Sequence, residues 1–305
     1  MFQSVEEVMS KLRTAKYICD PEIATAVYLS TRLSKPILVE GPPGVGKTAL
    51  AQAIATVLGI ELIRLQCYEG IDESKALYDW EYGKQMLYTQ LLKSTLDQYL
   101  DGVHGIAAAI EKMSKEEDAF FSENFLLQRP ILRSFLSDHL SVLLIDEIDR
   151  ADDEFEALLL ESLGDFQVSI PELGRIVAKN KPIVILTSNN TRMLSDALRR
   201  RCIFLHIGYP SVQREIEIIH EQVPEISVEL TEQLVDFLNQ VRELNLRKSP
   251  SISEAIDWAQ TLAILKVKAL NPEVVKSTIG SFIKHQSDNI KVGELLQKSP
   301  SVVGN

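Results

Sequence analysis

A glycine-rich run in this chain has the composition of a phosphate-binding loop. It consists of Gly41, Pro42, Pro43, Gly44, Val45, Gly46, Lys47 and Thr48, and Ala49 continues it into a helical pattern. Glycines let backbone N–H groups surround a phosphate, and the positive end of the following helix dipole adds to the attraction. In this pattern the lysine reaches the β- and γ-phosphates and the threonine hydroxyl binds Mg²⁺. The run therefore predicts a nucleoside triphosphate site, against the alternative of a plain glycine turn.

Two carboxylates follow a second apolar stretch. Asp146 and Glu147 come directly after Leu143, Leu144 and Ile145, and ligands bind at the carboxyl ends of strands in open α/β sheets. We expect Asp146 to hold Mg²⁺, directly or through water, and Glu147 to orient and deprotonate an attacking water. The alternative is that both acids simply begin an exposed loop.

Two further groups of polar residues lie near strand-like runs. Asn189 ends one run and is predicted to sense the γ-phosphate, with Asn190 as the second choice, although asparagine also favours turns. Arg199, Arg200 and Arg201 precede another run. These arginines could stabilise a helix C-terminus through its dipole, or supply an arginine finger to a neighbouring subunit's nucleotide, and both roles can coexist.

The elements that position these residues alternate between strand and helix. This pattern predicts an α/β fold with a parallel sheet between two helical layers, a three-layer P-loop core. We assign residues 1–209 to that core, with an insertion at about 68–137 and a β-hairpin at about 166–178. We assign residues 210–305 to a helical lid subdomain, because apolar residues there recur at helical spacing. The predicted strands cover residues 37–40, 61–66, 142–146, 183–187 and 203–207.

The insertion is the part of the chain where the pattern is least regular. Aromatic residues around a Gly83-Lys84 pair indicate a short hairpin spanning residues 80–88, followed by helices that include residues 107–113. The alternative is a surface insertion with its own small core.

Composition excludes several classes of protein. The chain has 305 residues, 45% of them hydrophobic, and a net charge of -11. That charge disfavours binding to nucleic acid, and no apolar run approaches the ~18 residues of a membrane helix. The N-terminus lacks the apolar core of a secretion signal, so we expect a cytoplasmic protein with no membrane partner. Cys19, Cys67 and Cys202 are too few and too far apart for a disulfide framework.

Together these motifs resemble an AAA+ ATPase module over nearly the whole chain. Residues 41–48 match the family's Walker A motif and residues 143–147 its Walker B motif. Asn189 matches the first sensor, and Arg201 matches the finger position, with Arg200 as the second candidate. By the same resemblance, Tyr17 and Ile18 line the adenine pocket. The sequence motifs EGPPGVGKT, YEGID and DEIDR are similar to those of MoxR-type ATPases, in particular the CoxD-like group.

That resemblance implies a reaction and partners. It implies hydrolysis of ATP with Mg²⁺ by a ring, often a hexamer. It also implies a von Willebrand factor A partner and a metalloenzyme client, such as a carbon monoxide dehydrogenase-type molybdenum hydroxylase. One departure is the missing second-sensor arginine at the predicted lid helix, where Arg247 or Lys248 is the available substitute. Ser251 and Glu254 there form a capping-box pattern.

Two other functional classes share the phosphate loop. A nucleic-acid motor or clamp-loading ATPase has the same core, but the acidic charge and the lack of a basic, aromatic stripe count against it. A small-molecule kinase needs a substrate pocket and no finger, and Glu147 at the water position favours hydrolysis. GTP is disfavoured because Asn180-Lys181-Pro182 lacks the acid of a guanine motif.

Overall fold

The central feature of the fold is a parallel five-stranded sheet. This computed structural model describes residues 1–91, 125–171 and 173–298. The strands of the sheet are β1 (Ile37–Glu40), β2 (Glu61–Gln66), β5 (Ser141–Asp146), β8 (Ile183–Ser188) and β9 (Ile203–His206). Their order is β2-β5-β8-β1-β9, and every pairing in the sheet is parallel. The predicted α/β fold class is confirmed.

Both faces of this sheet are covered, which explains why its inner strands are almost continuously apolar. Every residue of β1, β5 and β8 is buried. Successive side chains alternate between two hydrophobic clusters: Leu143 and Ile145 contribute to one, and Val142 and Leu144 to the other. The sheet therefore lies between two apolar layers.

Helices on the two faces complete these layers. These helices are α1 (Val5–Thr14), α2 (Pro21–Leu33), α3 (Lys47–Leu58), α6 (Pro130–Leu136), α7 (Asp153–Gly164) and α8 (Asp196–Arg201), the last of which leads into β9. Helices α1, α2 and α3 pack on the face that includes Val142, and α6 and α7 pack on the face that includes Leu143.

The hairpin expected around the Gly83-Lys84 pair is wrong. β3 (Tyr78–Trp80) is followed by a helix, α5 (Tyr82–Leu91), and its antiparallel partner is β4 (Leu126–Gln128), far along the chain. A short helix, α4 (Glu73–Ala76), precedes β3. Gly83 is the second residue of α5, where glycine destabilises a helix less than in its middle. The strand β3 therefore pairs with the distant β4 and not across a local turn. The helices predicted around residues 107–113 lie outside the described residues.

A second predicted hairpin is present. β6 (Gln167–Ile170) pairs antiparallel with β7 (Gly174–Val177), between α7 and the sheet strand β8. Val168 and Ile170 point into the core cluster on the α7 side. The hairpin is thereby fixed to the core of the sheet domain by its first strand.

Beyond the sheet the described chain is helical. The helices pack around their own cluster, in which Trp258 stacks on Phe282 with ring centroids 4.2 Å apart. No helix among the described residues is long and apolar enough to cross a membrane. The division at residues 209/210 stays a prediction. The helices are α9 (Val212–Gln222), α10 (Val228–Glu243), α11 (Ile252–Ile264), α12 (Pro272–Thr278) and α13 (Gln286–Lys298).

Trp258 is expected to dominate the stability of these C-terminal helices. Its ring is fully buried and its Nε1 donates to Thr278 Oγ1 at 2.9 Å. Trp258→Ala should lower the free energy of unfolding by roughly 3–5 kcal/mol through lost contacts and a residual cavity. Ile264→Ala, on the same helix but 80% exposed, should change it by less than about 0.5 kcal/mol. Urea unfolding followed by fluorescence and circular dichroism measures both, and equal losses would contradict the packing described.

Candidate functional site

The predicted chemical residues meet at the carboxyl edge of the sheet. β8 lies between β5 and β1, so the ends of these three strands are neighbours. The loop that contains Lys47 follows β1, Asp146 ends β5, and Asn189 follows β8. One strand order therefore brings all three motifs into a single cluster.

Lys47 binds the loop that it belongs to and the tip of β8. Its Nζ donates to the carbonyl oxygens of Gly41 and Pro42, each at 2.7 Å, and to Asn189 Oδ1 at 2.8 Å. Burial lowers the pKa of this ammonium group, and the nearby carboxylates of Asp149 and Asp146 oppose that shift. The Lys47 ammonium group is thus bound by three neutral acceptors, at the edge of the sheet where the sequence predicts phosphate binding.

Asp146 lies beside the hydroxyl predicted to share a metal with it. Thr48 Oγ1 is 3.0 Å from Asp146 Oδ1, and Thr187 Oγ1 donates to the same oxygen at 2.5 Å. A hydroxyl and a carboxylate are the hard oxygen donors that Mg²⁺ accepts, with phosphate oxygens and water in its remaining positions. The residues present therefore fit Mg²⁺.

Glu147 has an unusual backbone conformation that turns it away from the strand. Its φ is 56°, in the left-handed region that is unfavourable for a residue with a side chain. Its N–H donates to Thr187 Oγ1 at 2.9 Å. Its carboxylate accepts from Gln66 Nε2 and pairs with Arg150 Nε, both at 2.9 Å. Glu147 is thus fixed at its backbone and paired at its side chain.

Asp149 orders the loop that carries Asn189. This buried carboxylate accepts hydrogen bonds from the N–H groups of Asn189 and Thr191 and from the Thr191 hydroxyl. Burial acts to raise the pKa of Asp149, but the bonds from Thr191 and Asn189 outweigh it and lower the pKa. Asn189 Nδ2 in turn lies 3.4 Å from Glu147 Oε1. Asn190 has a φ of 58° and is exposed, whereas the Asn189 side chain contacts both Lys47 and Glu147.

A cavity of about 340 Å³ adjoins the phosphate loop. Its size suits a nucleotide-sized ligand. Its lining includes Tyr17, Ile18, Tyr209, Ile218 and Ile256. The loop and its helix contribute Gly44, Val45, Gly46 and Ala49 to the same lining.

The first turn of α11 rests directly on the phosphate loop. Ser253 donates to the Gly44 carbonyl through both its N–H and its hydroxyl, each at 3.3 Å. Gly44 has a φ of 77°, and a Cβ there would lie 2.0 Å from Ser251 Oγ. Only glycine satisfies both demands.

Arg247 and Lys248, the substitutes proposed for the second sensor, make no hydrogen bond to the phosphate loop among the described residues. The Lys248 ammonium group pairs with Glu254 at 2.8 Å, and the Arg247 side chain is exposed. Glu254 also accepts from the Ser251 N–H at 3.0 Å, which completes the capping box. The residue that α11 presents to the loop is therefore a serine.

The three arginines differ in their surroundings. Arg199 pairs with Glu40, the buried last residue of β1, and its guanidinium stacks near the Phe204 ring. Arg200 and Arg201 are exposed at the end of α8, and neither has an ion-pair partner in the described part of the chain. Arg199 is thus engaged within the chain, whereas the exposed Arg200 and Arg201 make no ion pair among the described residues.

Four contacts in this site are not apparent from motif spacing. Arg64 Nη2 lies 2.6 Å from Asp146 Oδ2, and Gln66 holds Glu147. Thr187 links Asp146 to Glu147, and Ser253 contacts the phosphate loop. The available sequence signal is that Arg64, Gln66 and Thr187 lie at or near the carboxyl ends of predicted strands.

Comparison with known proteins identifies the family. The family model described as "ATPase family associated with various cellular activities (AAA)" matches residues 37–209, more than half of the chain. The chain therefore belongs to the AAA family of ATPases, which confirms this level of the resemblance found in the sequence.

Individual relatives are more distant. An uncharacterised protein of Staphylococcus aureus is 22% identical over 259 residues, covering 81% of this chain and 84% of the relative. YeaC of Bacillus subtilis is 25% identical over 231 residues, covering 72% of this chain but only 58% of YeaC. A 54-residue stretch is 44% identical to midasin of Giardia intestinalis, covering 18% of this chain and 1% of midasin. Among solved structures, the Thermotoga maritima RuvB Holliday junction branch migration motor is 19% identical, with a TM-score of 0.45, covering 91% of this chain and 71% of RuvB.

The contact between α11 and the phosphate loop should depend on pH through Glu254. Burial acts to raise the pKa of this carboxyl, but hydrogen bonds from Lys248 and Ser251 lower it from 4.5 to about 2. The stabilisation is therefore complete above pH 4.5 and is lost as the pH falls towards about 2. Glu254→Gln should lower the free energy of unfolding at pH 7 by about 1–3 kcal/mol.

Measuring unfolding between pH 7 and pH 2.5 tests this linkage. The difference between wild type and Glu254→Gln should shrink as the pH falls, because the wild type loses the charged form. Glu232→Gln removes the same charge from an exposed position on α10 and serves as the control. A difference that stays constant with pH would show that the charge of Glu254 does not stabilise the fold.

Proposed function

We propose that this chain binds ATP with Mg²⁺ beside its phosphate loop and hydrolyses the terminal anhydride. The observation that carries the proposal is the convergence of Lys47, Thr48, Asp146, Glu147 and Asn189 at three adjacent strand ends. Membership of the AAA family supports nucleotide binding and ATPase activity in general.

Binding is assigned to the loop, its helix and the adjoining cavity. Backbone N–H groups of residues 41–48 surround the phosphates, and the N-terminus of α3 adds its dipole. Lys47 exchanges its carbonyl acceptors for phosphate oxygens, which compensates its buried charge better. The adenine base occupies the cavity beside Tyr17 and Ile18, whose lining combines apolar side chains with polar ones such as Arg214 and Gln222.

Hydrolysis is assigned to the carboxylate that follows the metal-site aspartate. Glu147 accepts a proton from the attacking water, and Asn189 orients that water or the γ-phosphate between Lys47 and Glu147. Thr48 and Asp146 would hold Mg²⁺, which would neutralise charge on the phosphate oxygens. Gln66 and Arg150 both bind Glu147 Oε2, which leaves Oε1, 3.4 Å from Asn189 Nδ2, as the oxygen that accepts the proton.

The exposed arginines lead us to propose a ring. Arg200 and Arg201 are exposed and make no ion pair in the described part of the chain, whereas Arg199 pairs with Glu40. An exposed guanidinium can enter the nucleotide site of a neighbouring subunit and neutralise charge on the transferring phosphoryl group. We assign this role to Arg201, with Arg200 as the alternative, in an assembly such as a hexamer.

The protein on which this ATPase acts is inferred from three sequence motifs. Similarity of EGPPGVGKT, YEGID and DEIDR to MoxR-type, CoxD-like ATPases supports a cytoplasmic remodelling chaperone. It would act with a von Willebrand factor A partner to mature a metalloenzyme, such as a carbon monoxide dehydrogenase-type enzyme. Co-purification from the native source with the Glu147→Gln variant tests this proposal. Recovery of DNA in place of a metalloenzyme would favour a nucleic-acid motor, which the net charge of -11 disfavours.

Glu147→Gln should separate nucleotide binding from hydrolysis. The amide preserves the shape of the side chain but cannot accept a proton, so turnover should fall by roughly 10²–10⁴-fold while ATP remains bound. Lys47→Ala is the contrasting variant, in which binding itself should be lost. Malachite-green phosphate release and fluorescent-nucleotide titration measure the two quantities. Normal turnover by Glu147→Gln would remove Glu147 as the general base.

The finger assignment predicts complementation between subunits. Arg201→Ala should bind ATP but lose roughly 10³-fold or more in turnover. Lys47→Ala subunits lack a working nucleotide site but keep their arginines, so mixing them with Arg201→Ala subunits should restore part of the activity. The mixture is compared with each variant alone at the same total concentration. Absence of restoration in mixed rings, or stable monomers with saturating ATP and Mg²⁺, would contradict a finger in trans.

A further inference from the structure

Arg64 makes the ion pair with the buried metal-site carboxylate. The Asp146 side chain is only 4% exposed, and its Oδ2 lies 2.6 Å from Arg64 Nη2. Oδ1 is already bonded to Thr187 and Thr48. In the part of the chain that the structure describes, no other lysine or arginine lies within ion-pairing distance of Asp146. Arg64 thus supplies the direct cationic partner of this carboxylate.

A buried carboxylate needs this kind of partner. Removing an ionised group from water is costly unless charge and hydrogen bonds compensate it. Lys47 does not provide that contact, since its ammonium group is bound to two carbonyls and Asn189. Arg64 reaches Asp146 from β2, an edge strand of the sheet, and its side chain is 52% exposed. It can leave Asp146 for water at little desolvation cost.

Thr48 Oγ1 lies 3.0 Å from Asp146 Oδ1 and 3.3 Å from Oδ2, so a metal ion held by Thr48 and Asp146 would lie beside the oxygen that accepts from Arg64. Mg²⁺ held there would bring a second, larger positive charge close to the Arg64 guanidinium. The two cations would repel each other beside one carboxylate, so occupancy by one disfavours the other. Binding of Mg²⁺ and pairing with Arg64 are therefore competing ways to neutralise Asp146.

We propose that Arg64 is a positioning residue that holds Asp146 in the metal-free site and is displaced when Mg²⁺ arrives with the nucleotide. Arg64 thereby sets the Mg²⁺ concentration at which nucleotide binds tightly. Arg64 Nη2 also donates to Gln66 Oε1 at 2.7 Å, and Gln66 Nε2 donates to Glu147. Displacement of Arg64 removes one of the two restraints on the Gln66 side chain, and so reaches Glu147. This inference rests on the proposed function.

The test is a Mg²⁺ titration of nucleotide binding with the full chain. The probe is a non-hydrolysable ATP analogue carrying a mant fluorophore, so the readout is independent of turnover. Arg64→Gln should lower the Mg²⁺ concentration for half-maximal binding by roughly three- to tenfold, the size of a partly exposed ion pair. Arg64→Lys should keep most of the wild-type dependence. Without nucleotide and in EDTA, Arg64→Gln should melt at a lower temperature than wild type, because Asp146 loses its partner.

Arg133→Gln is the matched control. Arg133 pairs with Glu61 at the other end of the same strand, so its substitution removes the same charge without touching Asp146. Its Mg²⁺ dependence should equal that of the wild type. An unchanged or increased Mg²⁺ requirement in Arg64→Gln would overturn the inference while leaving ATP binding intact. Wild-type protein that fails to bind the analogue at any Mg²⁺ concentration would refute the proposed function itself, and this inference with it.

Discussion

Burial of the Asp146 carboxylate at the end of a fully buried strand is the constraint on which the site depends. Every residue of β5 is buried, so its terminal charge cannot be solvated by water and must be satisfied by neighbours. Thr48 comes from the helix after β1, Thr187 from β8 and Arg64 from β2. Three separate segments therefore meet at one carboxylate, and this need for partners draws the phosphate loop and the strand ends together.

The position of β8 links Asp146 to Glu147 and both to the phosphate loop. Because β8 lies beside β5, one residue of β8 can contact both Asp146 and Glu147. Thr187 does so with a single hydroxyl, which donates to Asp146 and accepts from the Glu147 N–H. The second bond stabilises the left-handed backbone of Glu147, a conformation that is unfavourable for a residue with a side chain. Asp149 then orders the loop after β8, so Asn189 faces Lys47 instead of solvent.

Much of this arrangement could be predicted from the sequence, and the reasons are physical. Buried parallel strands are short apolar runs, so the five sheet strands and the motifs at their ends are visible locally. The contacts of Arg64 and Gln66 are not, because they depend on which strand lies beside β5, a property of the whole sheet. The hairpin predicted around residue 83 was wrong for the same reason: β3 pairs with a strand beyond the intervening segment. The roles of the individual site residues remain predictions, although the geometry brings them together.

The contact of α11 with the phosphate loop shows how nucleotide binding could be transmitted without a second-sensor arginine. An arginine would report on the γ-phosphate through its charge, whereas Ser253 holds the Gly44 carbonyl and thus reports on the loop's backbone. Gly44 has no room for a Cβ beneath Ser251, so a change in its backbone must move the start of α11 or break that contact. Glu254 and Lys248 fix the same helix start, and Asp288 on α13 accepts from the N–H groups of Arg247 and Lys248. These hydrogen bonds join the start of α11 to both the phosphate loop and the C-terminal helix. A displacement of the loop on nucleotide binding would therefore reach the C-terminal helices through packing and hydrogen bonds, without the charge of an arginine.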